Sequence, residues 1–206
     1  LSHEGLLSFD PEAKTYRIGM GLMEFAAPLL GANPADLIRP TIMAIAQEHQ
    51  VAIALWQITA NERVVLIDRF AAPDIVHAVM SRSIRLPVFA GAIGRVYAAS
   101  QGLNKTQARK GFGSVRWQNA PDFEAYWADV QAARDSGIAQ DRSNLFRGLD
   151  MVAALSRDAA DVPRLGISSI TIIGQQTDAS LARVGAALAQ AARQIERGVF
   201  GRATDA

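Results

Sequence analysis

The sequence has no cysteine and only three histidines, and each shortage excludes a class of site. Without cysteine the chain forms neither disulfides nor thiolate metal sites, and it has no cysteine nucleophile. His3, His49 and His77 lie far apart in the sequence and lack the spacing of metal ligands. We therefore predict that the chain binds no metal ion and no cofactor.

An excess of charge and a long apolar run are also missing. The 21 basic and 20 acidic residues leave a formal net charge of +1, which does not favour a broad surface for nucleic acid or for an anionic membrane. No apolar run approaches the roughly 20 residues of a transmembrane helix, and the sequence opens with no secretory leader. We expect a cytoplasmic protein without a membrane partner and, because the chain begins at Leu1 and not at methionine, a fragment.

Half of the 206 residues are apolar, which is enough for a substantial core in one domain. Alternation and turn residues predict a hairpin over Leu6–Ile18 and strands over Val51–Ile58, Arg63–Phe70, Ile75–Met80, Ile138–Asp141, Met151–Leu155 and Leu165–Ile173. Apolar spacing and caps predict helices over Ile18–Leu30, from Pro34, over Gly94–Ser100, from Asn104, from Pro121 to Ser136 and from Asp178 to about Val199. This order predicts an α+β sensor fold, an antiparallel sheet flanked by helices on both sides.

The stretch from Arg85 to Arg95 is the strongest candidate for a site. An apolar strand end bends at Pro87 and runs into small residues that open a helix. Small side chains let a ligand approach the backbone, and the first N–H groups of a helix attract a carboxylate without a charged side chain. The pattern favours a sensor of a small acidic molecule; an ordinary tight connection between a strand and a helix fits it equally well.

Three motifs in order resemble the IclR-type bacterial transcriptional regulators, over essentially the whole chain. The first is Gly5-Leu6-Leu7, Asp10 and Lys14 to Gly19, which is similar to the wing of that family's winged helix-turn-helix domain. The second is Leu86-Pro87 followed by Ala90 to Arg95, and the third is Gly137 to Asp141. The resemblance implies that residues 1–24 end a DNA-binding domain and begin a linker helix, and that residues 25–206 form the effector-binding and oligomerisation domain.

The resemblance also implies a GAF/PAS-like (profilin-like) fold and a pocket for a small effector, commonly an organic or aromatic acid. Carried over by position, the effector-binding residues are Ile75, Ala78, Ala92, Ile93, Asp141, Leu149, Met151, Ser169 and Thr171. The alignment of Ser169 and Thr171 with the family is uncertain by one or two residues, so Ser168 is an alternative pocket residue. The Asp141 carboxylate would repel an acidic ligand unless it binds a hydroxyl or amine of that ligand or pairs with an arginine such as Arg142 or Arg147. The alternative is that Asp141 is a surface turn residue outside the pocket.

This sequence departs from the family pattern at three places. Phe89 stands where the family usually has a polar residue, Ser83 stands where a glycine is usual, and Arg142 follows Asp141 where acidic residues are usual. The chemistry of the pocket is therefore open.

Three functions remain. In the first, the chain senses an effector, forms a homodimer or homotetramer, and acts on DNA through a winged-helix domain that is mostly missing here. In the second, it is a structural GAF-like dimerisation module whose pocket is vestigial. In the third, it is a small hydrolase using Ser169 or Asp141; the sequence has no nucleophile elbow and no glycine-rich phosphate loop, so we expect no enzyme activity.

Overall fold

The computed structural model describes residues 7–10, 14–18, 34–82 and 84–202. The strands are β1 (Leu7–Asp10), β2 (Thr15–Ile18), β3 (Ala52–Thr59), β4 (Arg63–Ala71), β5 (Arg85–Pro87), β6 (Ile138–Arg142), β7 (Leu149–Arg157) and β8 (Pro163–Ile172). The helices are α1 (Pro34–His49), α2 (Gly91–Ser100), α3 (Lys105–Gly113), α4 (Phe123–Ser136) and α5 (Asp178–Gly198). The predicted connector helix over Ile18–Leu30 lies outside the described residues.

Strands β3 to β8 form one antiparallel sheet in the order β5-β4-β3-β8-β7-β6. Helices α2, α3 and α4 pack on one face, here called the α2 face, and α1 and α5 pack on the other, called the α5 face. A separate apolar core lies on each face, so every central strand is buried on both sides. The predicted α+β class, with helices on both sides of an antiparallel sheet, is confirmed.

Local signals in the sequence set most of the element boundaries. Asn104 forms a capping box with Gln107 at the start of α3, and Asp122 caps α4. Gly137 ends α4 in the left-handed conformation, with φ of 69°. The predicted hairpin near the start of the chain is confirmed as the β1–β2 pair. Its assignment to a DNA-binding wing stays a prediction.

The predicted strand over Ile75–Met80 is wrong. Residues 75–80 form no strand, and the short strand β5 pairs with β4 instead. Side chains bond two carbonyls of this segment: the Gln175 amide donates to Val76 O at 2.9 Å, and the Arg69 guanidinium donates to Met80 O. Tertiary contacts therefore override the strand propensity of these residues. We call residues 73–82 the strap.

None of the helices in the described part of the chain is long and apolar enough to cross a lipid bilayer.

Candidate functional site

The predicted central turn forms as expected and leads directly into α2. The helix starts at Gly91, which has φ of 62°, and its N-cap residue Ala90 offers no side-chain hydrogen bond to the first turn. The connection is tight, because a Cβ atom built on Gly94 would lie 1.9 Å from the carbonyl carbon of Phe89. The first turn of α2 therefore presents backbone N–H groups without a side-chain cap.

A small cavity of ≈10 Å³ lies between this turn and the sheet. Ala92 and Ile93 line it from α2, and Trp56 and Ser168 line it from the sheet. Leu145, Phe146 and Met151 complete the wall, and a methyl group on Gly91 would already be 3.0 Å from Leu145 Cδ2. The space is nearly filled by the chain's own side chains, with room for about one water molecule.

A larger cavity of ≈120 Å³ lies beneath the strap on the same face of the sheet. Its lining from the sheet includes Ala52, Ala54, Leu66 and Ile170, and its lining from the strap is His77, Ala78 and Met80. The Arg69 side chain also reaches this cavity. It therefore combines an apolar floor with a cation and an imidazole at one side.

The two cavities follow one another along the same strands. On β3, Ala54 lines the larger cavity and Trp56, two residues further on the same face, lines the smaller one. On β8, Ile170 and Ser168 line the two cavities in the same way. The cavities are therefore about 7 Å apart along the strands. Trp56 Nε1 donates a 2.9 Å hydrogen bond to Ser168 Oγ across this boundary, and both residues are buried.

Arg95 on α2 organises the polar side of the site. Its guanidinium is 1% exposed and donates to Asp141 Oδ2, Asp129 Oδ2 and Asn144 Oδ1, each at 2.9 Å. It also donates to Gly91 O at 3.0 Å. The residue thus ties α2 to α4, to β6 and to the segment 143–148, which carries Leu145 and Phe146 into the smaller cavity.

Aromatic rings cover the same guanidinium. Its carbon atom Cζ lies 5.0 Å from the centre of the Tyr126 ring and 5.7 Å from that of Trp117. The Tyr126 hydroxyl is buried and has no hydrogen-bond partner among the described residues. Burial raises the pKa of this hydroxyl far above its ordinary value, and this effect outweighs the lowering by Arg95.

Five of the predicted site residues lie on the α2 face near the turn. Ala92, Ile93 and Met151 line the smaller cavity, Leu149 packs against the same core, and Asp141 is fully buried beside Arg95. Ala78 lines the larger cavity, and Ile75 is a half-buried residue of the strap; neither lies on a strand.

The two residues predicted on the last strand lie on the face of the sheet opposite the two cavities. Ser168 points to the α2 face, and because strand side chains alternate, Ser169 and Thr171 point to the α5 face. Ser169 Oγ there accepts a bond from Val152 N at 3.3 Å, and Thr171 Oγ1 donates to Asp150 O at 3.2 Å. A shift of one residue along β8 reverses the face, so Ser168 and not Ser169 lies beside the cavities.

The alternatives for Asp141 are also corrected. It is not a surface turn residue, and neither Arg142 nor Arg147 is its partner: Arg142 pairs with Asp178. The actual partner, Arg95, is the last residue of the Ala90–Arg95 motif, so the signal was present in the sequence. Asp141 Oδ1 further accepts bonds from Asn144 N and Leu145 N, so both carboxylate oxygens are engaged within the protein.

Solved structures with the same fold come from several bacteria. A crystal structure of an IclR transcriptional regulator from Alicyclobacillus acidocaldarius is 20% identical, with a TM-score of 0.71 over 96% of this chain and 81% of that one. The Thermotoga maritima IclR is 17% identical, with a TM-score of 0.69 over 97% and 82% of the two chains. The repressor BlcR of Agobacterium tumefaciens is 17% identical, with a TM-score of 0.69 over 98% and 81%.

No curated protein matches the chain by sequence. The family model described as the C-terminal domain of the bacterial transcriptional regulator IclR matches residues 31–197. The sheet and its two helical layers have the GAF/profilin-like fold of that domain. The chain therefore belongs to the IclR family of bacterial transcriptional regulators and contains the C-terminal domain of that family.

Proposed function

We propose that this chain is the small-molecule sensing domain of an IclR-type regulator and that its effector binds between the sheet and the first turn of α2. The observation that carries the proposal is the N-terminus of α2, which has no side-chain cap and lines an apolar cavity. Such a turn stabilises an anion through its N–H groups and its partial positive charge. An organic or aromatic acid fits this chemistry.

The larger cavity supports the same class of ligand. Arg69 and His77 stand at its side, and no acidic side chain of the described residues lines either cavity. Its ≈120 Å³ is well below the 300–1,000 Å³ of a site for a drug-sized molecule. The effector is therefore small, and a larger aromatic acid requires that the Trp56 side chain turn and the two cavities merge.

A ligand under the strap can act on α1 through Asp68. This buried carboxylate accepts from Arg82, at the end of the strap, at 3.1 Å and from Arg39 on α1 at 2.8 Å. A ligand that displaces the strap weakens the Arg82 contact and changes the position of α1. We propose that this change alters the homodimer or homotetramer and so the placement of the winged-helix domains on DNA, in the cytoplasm; a ligand does this only by binding the two states with different affinity.

The same proposal places the boundary between the DNA-binding domain and the sensing domain after residue 24. Residues 1–24 end the DNA-binding domain and begin the linker, and residues 25–206 sense the effector. We expect no enzyme activity, because the Asp141 carboxylate is held by Arg95 and by two backbone N–H groups and is not available as a base or nucleophile. Turnover of a bound acid that Asp141→Asn abolishes would contradict this expectation.

One observation favours a second candidate, the structural dimerisation module with a vestigial pocket. Leu145, Phe146 and Met151 leave only ≈10 Å³ beside the turn, so the chain itself fills the position of the effector. The two candidates differ in whether any acid stabilises the native state.

Thermal unfolding with keto acids, hydroxy acids and benzoates separates the candidates. A ligand at 100 times its dissociation constant adds about 2.7 kcal/mol. For a chain of this size that corresponds to a rise in Tm of about 5–11 °C. No rise with any acid supports the structural module.

A matched pair of variants locates the ligand. Ser168→Ala removes the partner of Trp56 beside the cavity and should weaken the ligand-dependent rise. Ser169→Ala, one residue further on the opposite face, should leave it unchanged. If Ser169→Ala weakens the rise as much as Ser168→Ala does, the ligand does not bind on the α2 face.

A further inference from the structure

A third cavity, of ≈290 Å³, lies at the edge of the sheet, away from the candidate effector site. Strand β6 begins at Ile138, which pairs with Ala154, whereas β7 continues to Arg157. The cavity occupies the gap beside the end of β7, between the second half of α2, the end of α4 and the last turns of α5. Alanines from these elements leave the space open, and we call it the edge cavity. Its alanines are Ala99, Ala133, Ala154, Ala189 and Ala192.

Arginines dominate the charged lining of the edge cavity. Arg134, Arg157, Arg193 and Arg202 contribute four positive charges, and Glu196 contributes one negative charge. Asp161 lies outside and pairs with both Arg157 and Arg202. With both acids counted, two positive charges remain. The carbonyl ends of α2, α4 and α5 carry roughly half a negative charge each, which leaves an excess of about half a positive charge.

Hydrogen-bond donors in the edge cavity are also in excess. A guanidinium has five N–H donors. Arg134 donates to Leu103 O at 2.7 Å, and Arg157 donates to Asp161 at 3.1 Å. Arg193 makes no hydrogen bond or ion pair within the described parts of the chain. Glu196 forms no ion pair with these arginines in the described parts of the chain, and its Oε1 accepts from the backbone N–H of Arg157 at 2.9 Å.

We propose that the edge cavity binds a small carboxylate with an apolar body, its charge held by Arg134 and Arg193 and its carbon skeleton resting on the alanines. A guanidinium matches a carboxylate in geometry and binds it through two parallel hydrogen bonds. This inference does not depend on the proposed effector site. The two sites adjoin different halves of α2, because Ala92 and Ile93 line the effector cavity and Val96 and Ala99 line the edge cavity.

Calorimetric titration of the chain with succinate, citrate and benzoate tests this inference. The double variant Arg134→Gln/Arg193→Gln removes both guanidinium groups that are proposed to hold the carboxylate. Both residues are exposed, so the variant should fold as the parent does. We expect its affinity for the bound probe to fall about tenfold or more. Arg183→Gln removes an exposed arginine of α5 that does not line the edge cavity, and it should bind as the parent does.

Two further measurements distinguish this site from the effector site. Ala189→Leu fills the edge cavity and should abolish the binding that the arginine variants weaken. Ser168→Ala should leave that binding unchanged. Dissociation constants weaker than about 1 mM for all probes, or equal affinities of the double variant and the parent, would overturn the inference.

Discussion

Replacement of Arg95 by methionine should destabilise the domain more than any surface substitution. The methionine keeps the apolar part of the side chain but removes the guanidinium that contacts Asp141, Asp129 and Asn144. Asp141 is fully buried and would lose its cationic partner. Breaking a buried pair in this way costs about 3–5 kcal/mol.

That loss is a large part of the 5–15 kcal/mol that stabilises a typical native protein. For a chain of this length it lowers Tm by roughly 6–20 °C. Urea unfolding followed by tryptophan fluorescence measures it as a lower midpoint with an unchanged slope. Arg142→Met is the matched control, because the Arg142–Asp178 pair is exposed, with side-chain exposures of 57% and 76%. Its removal should cost about 0–1 kcal/mol.

A double-mutant cycle with Asp141→Asn then isolates the pair. Arg95 and Asp141 are in direct contact, so the effects of the two single variants should not add, and the coupling should be about 1 kcal/mol or more. The reasoning is refuted if Arg95→Met costs no more than Arg142→Met, or if the two effects add within the error of the measurement.

Three further changes test the packing of the domain by the same unfolding assay. Gly94→Ala places a methyl group against the Phe89 carbonyl and should cost about 3 kcal/mol, whereas Gly113→Ala, with no atom near its Cβ, should be neutral or slightly stabilising. Tyr126→Phe should be neutral or stabilising at pH 7, because it removes a buried hydroxyl that has no partner among the described residues. Since burial raises the pKa of Tyr126, the parent should lose stability as the pH rises above about 10, and the variant should not. An equal alkaline loss of stability in the variant would contradict this assignment to Tyr126. Asn104→Ala should cost about 1 kcal/mol by breaking the capping box, and no loss would show that the start of α3 is held by packing.

Much of the fold could be predicted because its signals are local. Asn104, Asp122 and Gly137 mark helix ends by their own chemistry, and apolar alternation marks the paired strands. The strap could not be predicted in this way. Its β-rich residues are held by the side chains of Arg69 and Gln175, whose contacts depend on the folded chain.

The elements around the candidate site could be predicted from the sequence, whereas their side-chain contacts could not. The central turn and the buried Asp141 follow from their motifs, yet the Arg95–Asp141 pair joins residues 46 positions apart, and the Trp56–Ser168 bond joins residues 112 positions apart. The choice between Ser168 and Ser169 depends on one residue of strand register, which reverses the face and which short polar runs do not determine.

The attachment of segment 143–148 to Arg95 has a consequence for the rate of ligand capture. Leu145 and Phe146 occupy the space beside the α2 turn, and the Arg95 contacts with Asp141 and Asn144 hold them there. If the proposed effector binds there, these side chains must first move aside, so its association should be slower than the 10⁵–10⁷ M⁻¹s⁻¹ typical of protein partners and should level off at high ligand concentration. The same closure should slow dissociation of the ligand, so the domain should stay in its bound state after a brief rise in effector concentration has ended.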